Sequence, residues 1–554
     1  MQNVHRMIPV DILRGKTVVL RSGGKDVMIE GDCQGKGSGK TDIWKEVVMS
    51  ESRAKRSTYN MLSGFANQFI ALILSFVSRT VFIYTLGEEY LGLNGIFSNV
   101  LNLLSMADLG FNTAMAYSFY KPLAEHDERT LTALVNFYKK VYNIIALLVT
   151  AVGLAVMPFL KYIVNTEKEI PLLEVYYLFA LAGIVISYLF VYKTTILTAD
   201  QKNYEVTNIT IWTNLLKTVV QIALLLWLRN YVAYLAVNVV FQFLNNAIAS
   251  RKAARNYPYI RGDARIDKTE EKAILENMKS VFIFKVSGTL FTGVDNILIS
   301  MLVGTAAVGL YDNYLLVGNK MKLVLQIIFS SLTASIGNLI VKEKSEKRYQ
   351  VFAATQSVSY ILCGIIVCVY YLTINDLIRV WLGEHFMFSA STVAAMTLNL
   401  YLGCVLQPLW AYRDATGLYR KTKYVMLIGA ILNLVLSVGM GILWGITGII
   451  LASSIARLCT YFWYEPRLLF REYFDCSARS YYISQAGNLL LVLLTVGGLG
   501  FAWSFFEVDG WYRLIVKGIV TGLVCCAVFL GAYARSEGFQ IIRRKAKAML
   551  KKKK

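Results

Sequence analysis

Arg79, Asp108, Lys217, Asp295 and Lys320 each stand inside a long apolar run of this sequence. A charge placed in hydrocarbon costs several kcal/mol, so such groups are kept where water, a counter-charge or a ligand meets them. Polar stripes surround them. At about 100° per residue, Asn94, Ser98, Asn102, Ser105, Asp108 and Asn112 fall on one helical face. Thr207, Thr210, Asn214, Lys217, Thr218 and Gln221 fall on another. Gln68, Ser75 and Arg79 share a face, as do Lys285, Gly288, Thr292 and Asp295. Asn313 and Lys320 nearly eclipse, whereas Lys322 lies opposite Lys320, and Lys285 is close enough to a helix end to snorkel.

Three cations, Arg79, Lys217 and Lys320, around one hydrated cavity would complement a compact anion, and a diphosphate offers several charges to oppose them. Asp108 and Asp295 would tune that field or exchange a proton or Na⁺. Asn102, Asn112, Asn214, Gln221 and Asn313 would be polar lining. The competing account of the uncharged members is that they hydrogen-bond between packed helices. Nothing resembles a catalytic or metal-binding set. The three histidines, at 5, 126 and 385, are scattered, and the eight cysteines make no CxxC pair. One stretch, GDCQGKGSGKT (31–41), approaches a phosphate-binding loop, but Gln34 stands where its first glycine belongs. The segment before the first apolar run is too short for a nucleotide-binding domain, and no strand–loop–helix context is expected there. Neither nucleotide nor cofactor is expected.

The elements that must hold these groups are membrane helices. The chain has 554 residues, 56% hydrophobic and 17% charged, with a mean hydropathy of +0.49. A soluble chain would carry about a quarter charged residues. Apolar runs recur at 58–86, 91–120, 137–160, 172–199, 206–228, 231–250, 280–303, 308–340, 351–378, 389–412, 424–443, 446–464, 483–506 and 512–533. Each is long enough to cross a bilayer as a helix of roughly 20 residues. The reading is an all-α polytopic membrane protein of about fourteen transmembrane helices.

A net charge of +21 on a soluble chain would suggest nucleic acid. Here Lys and Arg gather in alternate loops, as in Lys342/Lys344/Lys347/Arg348 and Arg420/Lys421/Lys423, which places both termini on the cytoplasmic side. No nucleic-acid partner is expected, and the basic carboxy-terminal tail is read as facing anionic lipid. The loops on the other side, such as GEEY (87–90) and GTAA (304–307), are too short for an extracytoplasmic catalytic domain. A glycan polymerase or ligase is therefore a poorer reading than a transporter, and no enzymatic activity is expected.

A repeat divides the chain. LGEEYLGLNGIF (86–97) is similar to VGTAAVGLYDNY (303–314), pairing Gly87 with Gly304, Gly92 with Gly309 and Leu93 with Leu310 at an offset of 217. Asn214-Leu215 pairs with Asn433-Leu434 at 219. Six helices separate the copies, so the two halves share one orientation. The expected organisation is an amino-terminal tail (1–57, with 1–48 dispensable) and a six-helix bundle (58–250). A basic cytoplasmic linker (251–279) and a second six-helix bundle (280–464) follow. A loop with two further helices (465–533) and a basic tail (534–554) complete it.

The run LGLNGIFSNVLNLLSMADLG with its following YKPLAE turn, within 86–127, resembles the second-helix region of bacterial polysaccharide-unit flippases. WGITGIILASSIAR (444–457) is similar to the entry of that family's twelfth helix. These proteins belong to the multidrug/oligosaccharidyl-lipid/polysaccharide exporter superfamily, and the resemblance extends over about 53–535. It implies two pseudo-symmetric six-helix bundles in a V, two extra carboxy-terminal helices, and alternating access. Helices one, two, seven and eight would line the cleft. The implied cargo is an undecaprenyl-diphosphate-linked oligosaccharide, moved from the cytoplasmic to the outer leaflet of the bacterial inner membrane. The phospholipid bilayer and polysaccharide polymerases or glycosyltransferases would be its partners. An ion-coupled drug or small-solute antiporter of the same fold is the alternative, since fold does not fix substrate.

Overall fold

A computed structural model of the chain describes residues 17–22, 25–30, 39–105, 115, 118–120, 122–123, 125–166, 170–200, 202–267, 271–272, 286–291, 293–541 and 543–544. It divides into two compact units, 1–61 and 62–554. In the first, strands β1 (Thr17–Ser22) and β2 (Lys25–Glu30) pair antiparallel, ending at Ser22 opposite Lys25. Helix α1 (Gly39–Leu86) starts in this unit. Contrary to the sequence expectation, a strand does precede GSGKT and α1 begins within it, at Gly39; residues 31–38 lie outside the described residues. This order does not make a phosphate-binding domain. Such a domain is built on parallel strands joined by a helical crossover, whereas β1 and β2 form a two-stranded antiparallel hairpin.

The described elements of the second unit are helical. After α1 come α2 (Glu88–Leu104), α3 (Glu128–Val156), α4 (Leu173–Ala199), α5 (Asn203–Leu228) and α6 (Tyr231–Asn256). The second half holds α7 (Val286–Leu302), α8 (Thr305–Lys342), α9 (Ser345–Leu382) and α10, a pair bent by 42° (Ala390–Val405 and Gln407–Thr416). Among the described residues nine helices are long and apolar enough to cross a bilayer, or ten with that bent pair.

One of the nine candidates, Lys421–Phe474, holds 54 residues. Straight, it would reach about 80 Å against a hydrocarbon core of about 30 Å. It is instead two helices, α11 (419–444) and α12 (446–459), on either side of Gly445, whose φ of 58° and ψ of −139° interrupt Tyr419–Cys459, with the short helical turns Tyr461–Leu469 and Phe470–Phe474 after them. Ser453 Oγ bonds Asn433 Oδ1 at 3.0 Å. A methyl on Gly441 would meet Ile449, and one on Gly429 would meet Thr460 and Tyr461. These pairs are centred near residue 444, so the segment doubles back on itself. With α2, α7 and α8, which fail the strict length or polarity test, and with α13 (Arg479–Trp503) and α14 (Trp511–Tyr533), the set is fourteen. The last two pack on α9. There Lys517 bonds Asp376 at 2.6 Å, and Phe529 fills the space beside Gly364.

The repeat reappears as contact geometry. A methyl on Gly92 would collide with the Thr305 carbonyl oxygen, and one on Gly309 would meet the Glu88 carbonyl at 2.5 Å. Under the 217-residue offset, 88 becomes 305 and 92 becomes 309, so each contact is the image of the other. Gly95 faces its own counterpart, the Asp312 carboxylate. Reciprocal contacts of this kind define a two-fold relation. A pseudo-two-fold axis therefore passes between α2 and α8, and glycine is needed at 92 and 309 because backbone meets backbone there.

Candidate functional site

The halves are stitched together at the end formed by residues 80–88, 163–165, 300–305 and 381–385. Thr305 N donates to Asn165 O at 2.8 Å, and Ser300 Oγ to Ile163 O at 2.6 Å. Trp381 Nε1 donates to Thr80 Oγ1 at 2.7 Å, and His385 Nε2 lies 3.1 Å from Glu88 Oε1. Further in, α2 also touches α7, where Leu103 packs on Gly293.

Below this seal is a cavity of about 640 Å³, lined from both halves by α1, α2 and α7–α10 together with α12. Its charges lie in two layers. Seven residues, about 10 Å of helix, separate Arg79 from Leu86, Asp295 from Leu302 and Asp312 from Thr305, so these three lie at one depth beneath the seal. Arg79 Nη1 donates to Asn313 Oδ1 at 3.1 Å, and its charge is opposed by Asp312. Asn296 Nδ2 donates to Asp312 Oδ1 at 3.0 Å. Asp295 is 7% exposed, and Ser453 Oγ lies 3.2 Å from both of its oxygens. The Asn433 oxygen takes Ser453 and, at 3.3 Å, Ser437. Asn433 and the charge of Arg457 also act on Asp295. The Asp295 carboxylate beside the Asn433 and Ser453 oxygens is a donor set that suits a proton or a hard cation. The second layer, toward the opposite end, holds Lys322 and Arg457.

Arg79 and Asp295 therefore line one cavity. Asn313 is fully buried behind it and holds Arg79. Lys217 and Lys320, expected beside them, are not among the lining residues. Lys217 Nζ reaches Asn238 Oδ1 at 3.3 Å, Gln221 Nε2 reaches Tyr234 O at 3.2 Å, and Thr210 and Thr213 share Asn245. The α5 stripe thus joins α5 to α6, which is the helix-packing account of such residues. Asn214 is half-buried on the same helix and Asn102 is exposed on α2, neither of them in the lining. Asn94 and Ser98 of the α2 stripe do line the cavity. Asp108, Asn112, Lys285 and Thr292 lie outside the described residues.

On α8 the expected separation of Lys320 from Lys322 holds, but with the roles exchanged. Tyr311, Leu315, Gly318, Lys322 and Gln326, at helical spacing, face the void. Asn313 marked the wrong stripe because it points into the packing between the halves. Sequence reasoning also missed Asp312, Arg457, Ser453, Asn296 and Trp410. Asp312 had a signal, since it is the repeat partner of Gly95.

Two half-bundles around a sealed polar cavity define a transporter fold, that of the MOP superfamily. Similar solved structures include the lipid II flippase MurJ in an inward closed conformation, at 13% identity and a TM-score of 0.61 over 86% of this chain and 99% of that one. A multidrug resistance MATE family transporter of the MOP superfamily, inward-facing, aligns at 14% identity and a TM-score of 0.56 over 71% and 93%. A MOP superfamily transporter from Pyrococcus furiosus, whose binding pocket has reversed polarity, aligns at 13% and 0.52 over 75% and 96%. No curated protein sequence matches the chain. The chain belongs to the polysaccharide biosynthesis protein family, whose model matches residues 57–336.

Proposed function

We propose that the protein is a flippase that carries undecaprenyl-diphosphate-linked oligosaccharide units across the bacterial inner membrane by alternating access. The observation that carries this reading is the cation-bearing cavity shared by the two halves in a polysaccharide-biosynthesis family member. A diphosphate-oligosaccharide head cannot cross hydrocarbon, because burying unpaired charge and hydroxyls costs too much. A wet cleft removes that barrier while the polyprenyl tail stays in lipid. The distribution of Lys and Arg supports cytoplasmic termini. On that orientation the stitched end is the outer one, and the conformation is one that loads from the cytoplasm. Rocking the halves about the α2–α8 contact would expose the head outside. Polymerases or glycosyltransferases of the same polysaccharide would be its partners.

Purified protein in liposomes, assayed for leaflet transfer of a fluorescent undecaprenyl-diphosphate oligosaccharide, tests the reading. Transfer well above protein-free liposomes is expected; transfer of cationic drugs but not of this lipid would overturn it in favour of an antiporter. Asp295, with Ser453 and Asn433, is the coupling candidate for H⁺ or Na⁺. Asp295→Asn is expected to remove the dependence of transport on an imposed ion gradient. Unaltered ion dependence in that variant, and in one also carrying Asp108→Asn, would end the coupling idea.

A further inference from the structure

The two charged layers of the cavity are not equivalent hosts for an anion. In the layer nearest the seal, Arg79 already has an amide acceptor in Asn313 and a carboxylate opposing its charge in Asp312. Asp295 stands at the same depth. A phosphate brought there would face two carboxylates, and like charges in a site of low dielectric repel strongly.

The second layer is dominated by cations. Among the described residues neither Lys322 nor Arg457 makes an ion pair. Asp295 acts on Arg457 from the seal-side layer, but the charge that acts on Lys322 is that of Arg457 itself, so the two cations repel across the site. Arg457 is 7% exposed, its Nε has no hydrogen-bond partner, and its guanidinium is braced against the Phe291 ring at 5.4 Å. Both cations face one spot: a methyl on Gly403 would lie 3.9 Å from Lys322 Nζ and 4.0 Å from Arg457 Nη1. Glycine keeps that spot open. Beyond the bend of α10, Trp410 also lines the cavity, and its buried indole N–H lacks a partner. Buried donors without acceptors are costly, and the natural complement of two converging cations is a group with several acceptor oxygens and more than one charge.

Resting on the flippase reading, we infer that the second half alone holds the diphosphate, on Lys322 and Arg457. Arg79 belongs instead to the seal-side layer, held by Asn313 and opposed by Asp312. The glycan then extends toward the seal-side layer, where its hydroxyls can donate to Asp295, Asp312 and the neighbouring amides, as phosphate oxygens cannot.

The test is equilibrium binding of farnesyl diphosphate, which has the anion and a short prenyl chain but no sugar, to the full-length protein in detergent. The wild type is expected to bind, more weakly as salt rises. Lys322→Gln and Arg457→Gln should each weaken binding at least tenfold, with Arg457→Lys recovering part of the loss and Lys320→Gln changing nothing. Farnesol should not compete, which separates anion recognition from prenyl binding. Gel filtration and thermal melting report whether each variant is folded, and Arg457→Lys carries the test if the Gln variants are not. Wild-type affinity in both Gln variants, or a larger loss in Arg79→Gln than in either, would overturn the assignment while leaving the flippase reading intact. Binding that depends on Lys322 and Arg457 without any leaflet transfer of the lipid-linked glycan would uphold the subsite and sink the flippase.

Discussion

At the residue scale, transport assays in liposomes should separate two kinds of membrane cation. Arg79→Gln, which frees Asp312 and Asn313 together, is expected to lower transfer at least tenfold, and Lys217→Gln to stay within about twofold. Asp295 was legible in the sequence because a carboxylate deep in an apolar run needs a reason to be there. Lys322 and Arg457 were not, because a basic residue toward the end of a span reads equally well as a snorkelling side chain. Lys217 misled for the opposite reason: its charge is deep, but its ammonium is turned to Asn238 on the next helix. Helical phase alone cannot say which neighbour a stripe faces. Outside the membrane, Asp127 caps α3 by accepting from Thr130 N at 3.0 Å and Thr130 Oγ1 at 2.6 Å. Its carboxyl is held below the usual range, chiefly by the Thr130 side chain and then by its backbone. A depressed folded-state pKa means the cap's contribution is present above the unfolded value and is lost as pH falls through the folded one. The protection of the 130–132 amides, measured relative to intrinsic exchange at each pH, should therefore fall on acidification below the ordinary carboxylate range, and in Asp127→Ala it should be low at every pH.

At the scale of elements, apolar runs gave the helices but blurred their ends. The runs read as 424–443 and 446–464 are divided at Gly445, and the second breaks again at Thr460. The sequence alone does not distinguish that glycine from the others in the span. Its φ of 58° with ψ of −139° is open to glycine and strained for other residues, by about 1–3 kcal/mol. Gly445→Val should lower the thermal midpoint of the detergent-solubilised protein by a few degrees, whereas Gly439→Ala, which has open space beside it, should leave it unchanged. The α2–α8 crossing was legible as a repeat but not as a contact, because a motif match does not reveal that the two copies touch. Gly92→Val and Gly309→Val should have similar effects, each forcing the helices apart at the seal.

At the scale of the molecule, the seal-side stitching is what alternating access would have to break. The side-chain tips of Glu88 and His385 lie 3.1 Å apart, so cysteines at both positions, in a background lacking the native cysteines, should be bridged by a bis-methanethiosulfonate whose spacer replaces the lost side-chain length. Bridging should stop leaflet transfer and reduction restore it. Adding Gly92→Val should lower the cross-linking yield. Fourteen helices, their common orientation in two halves and the polar interior were readable from hydropathy and repetition; the depth and pairing of each charge were not, since these depend on helices hundreds of residues apart. The reciprocal crossing of α2 and α8 carries one more implication. At the 217-residue offset the counterpart of Lys322 is Ser105, and at 219 that of Arg457 is Asn238. On the proposed assignment, then, the crossing is common to both copies and the anion hook is not: one arm would grip while its twin, built to the same plan, stayed free to swing.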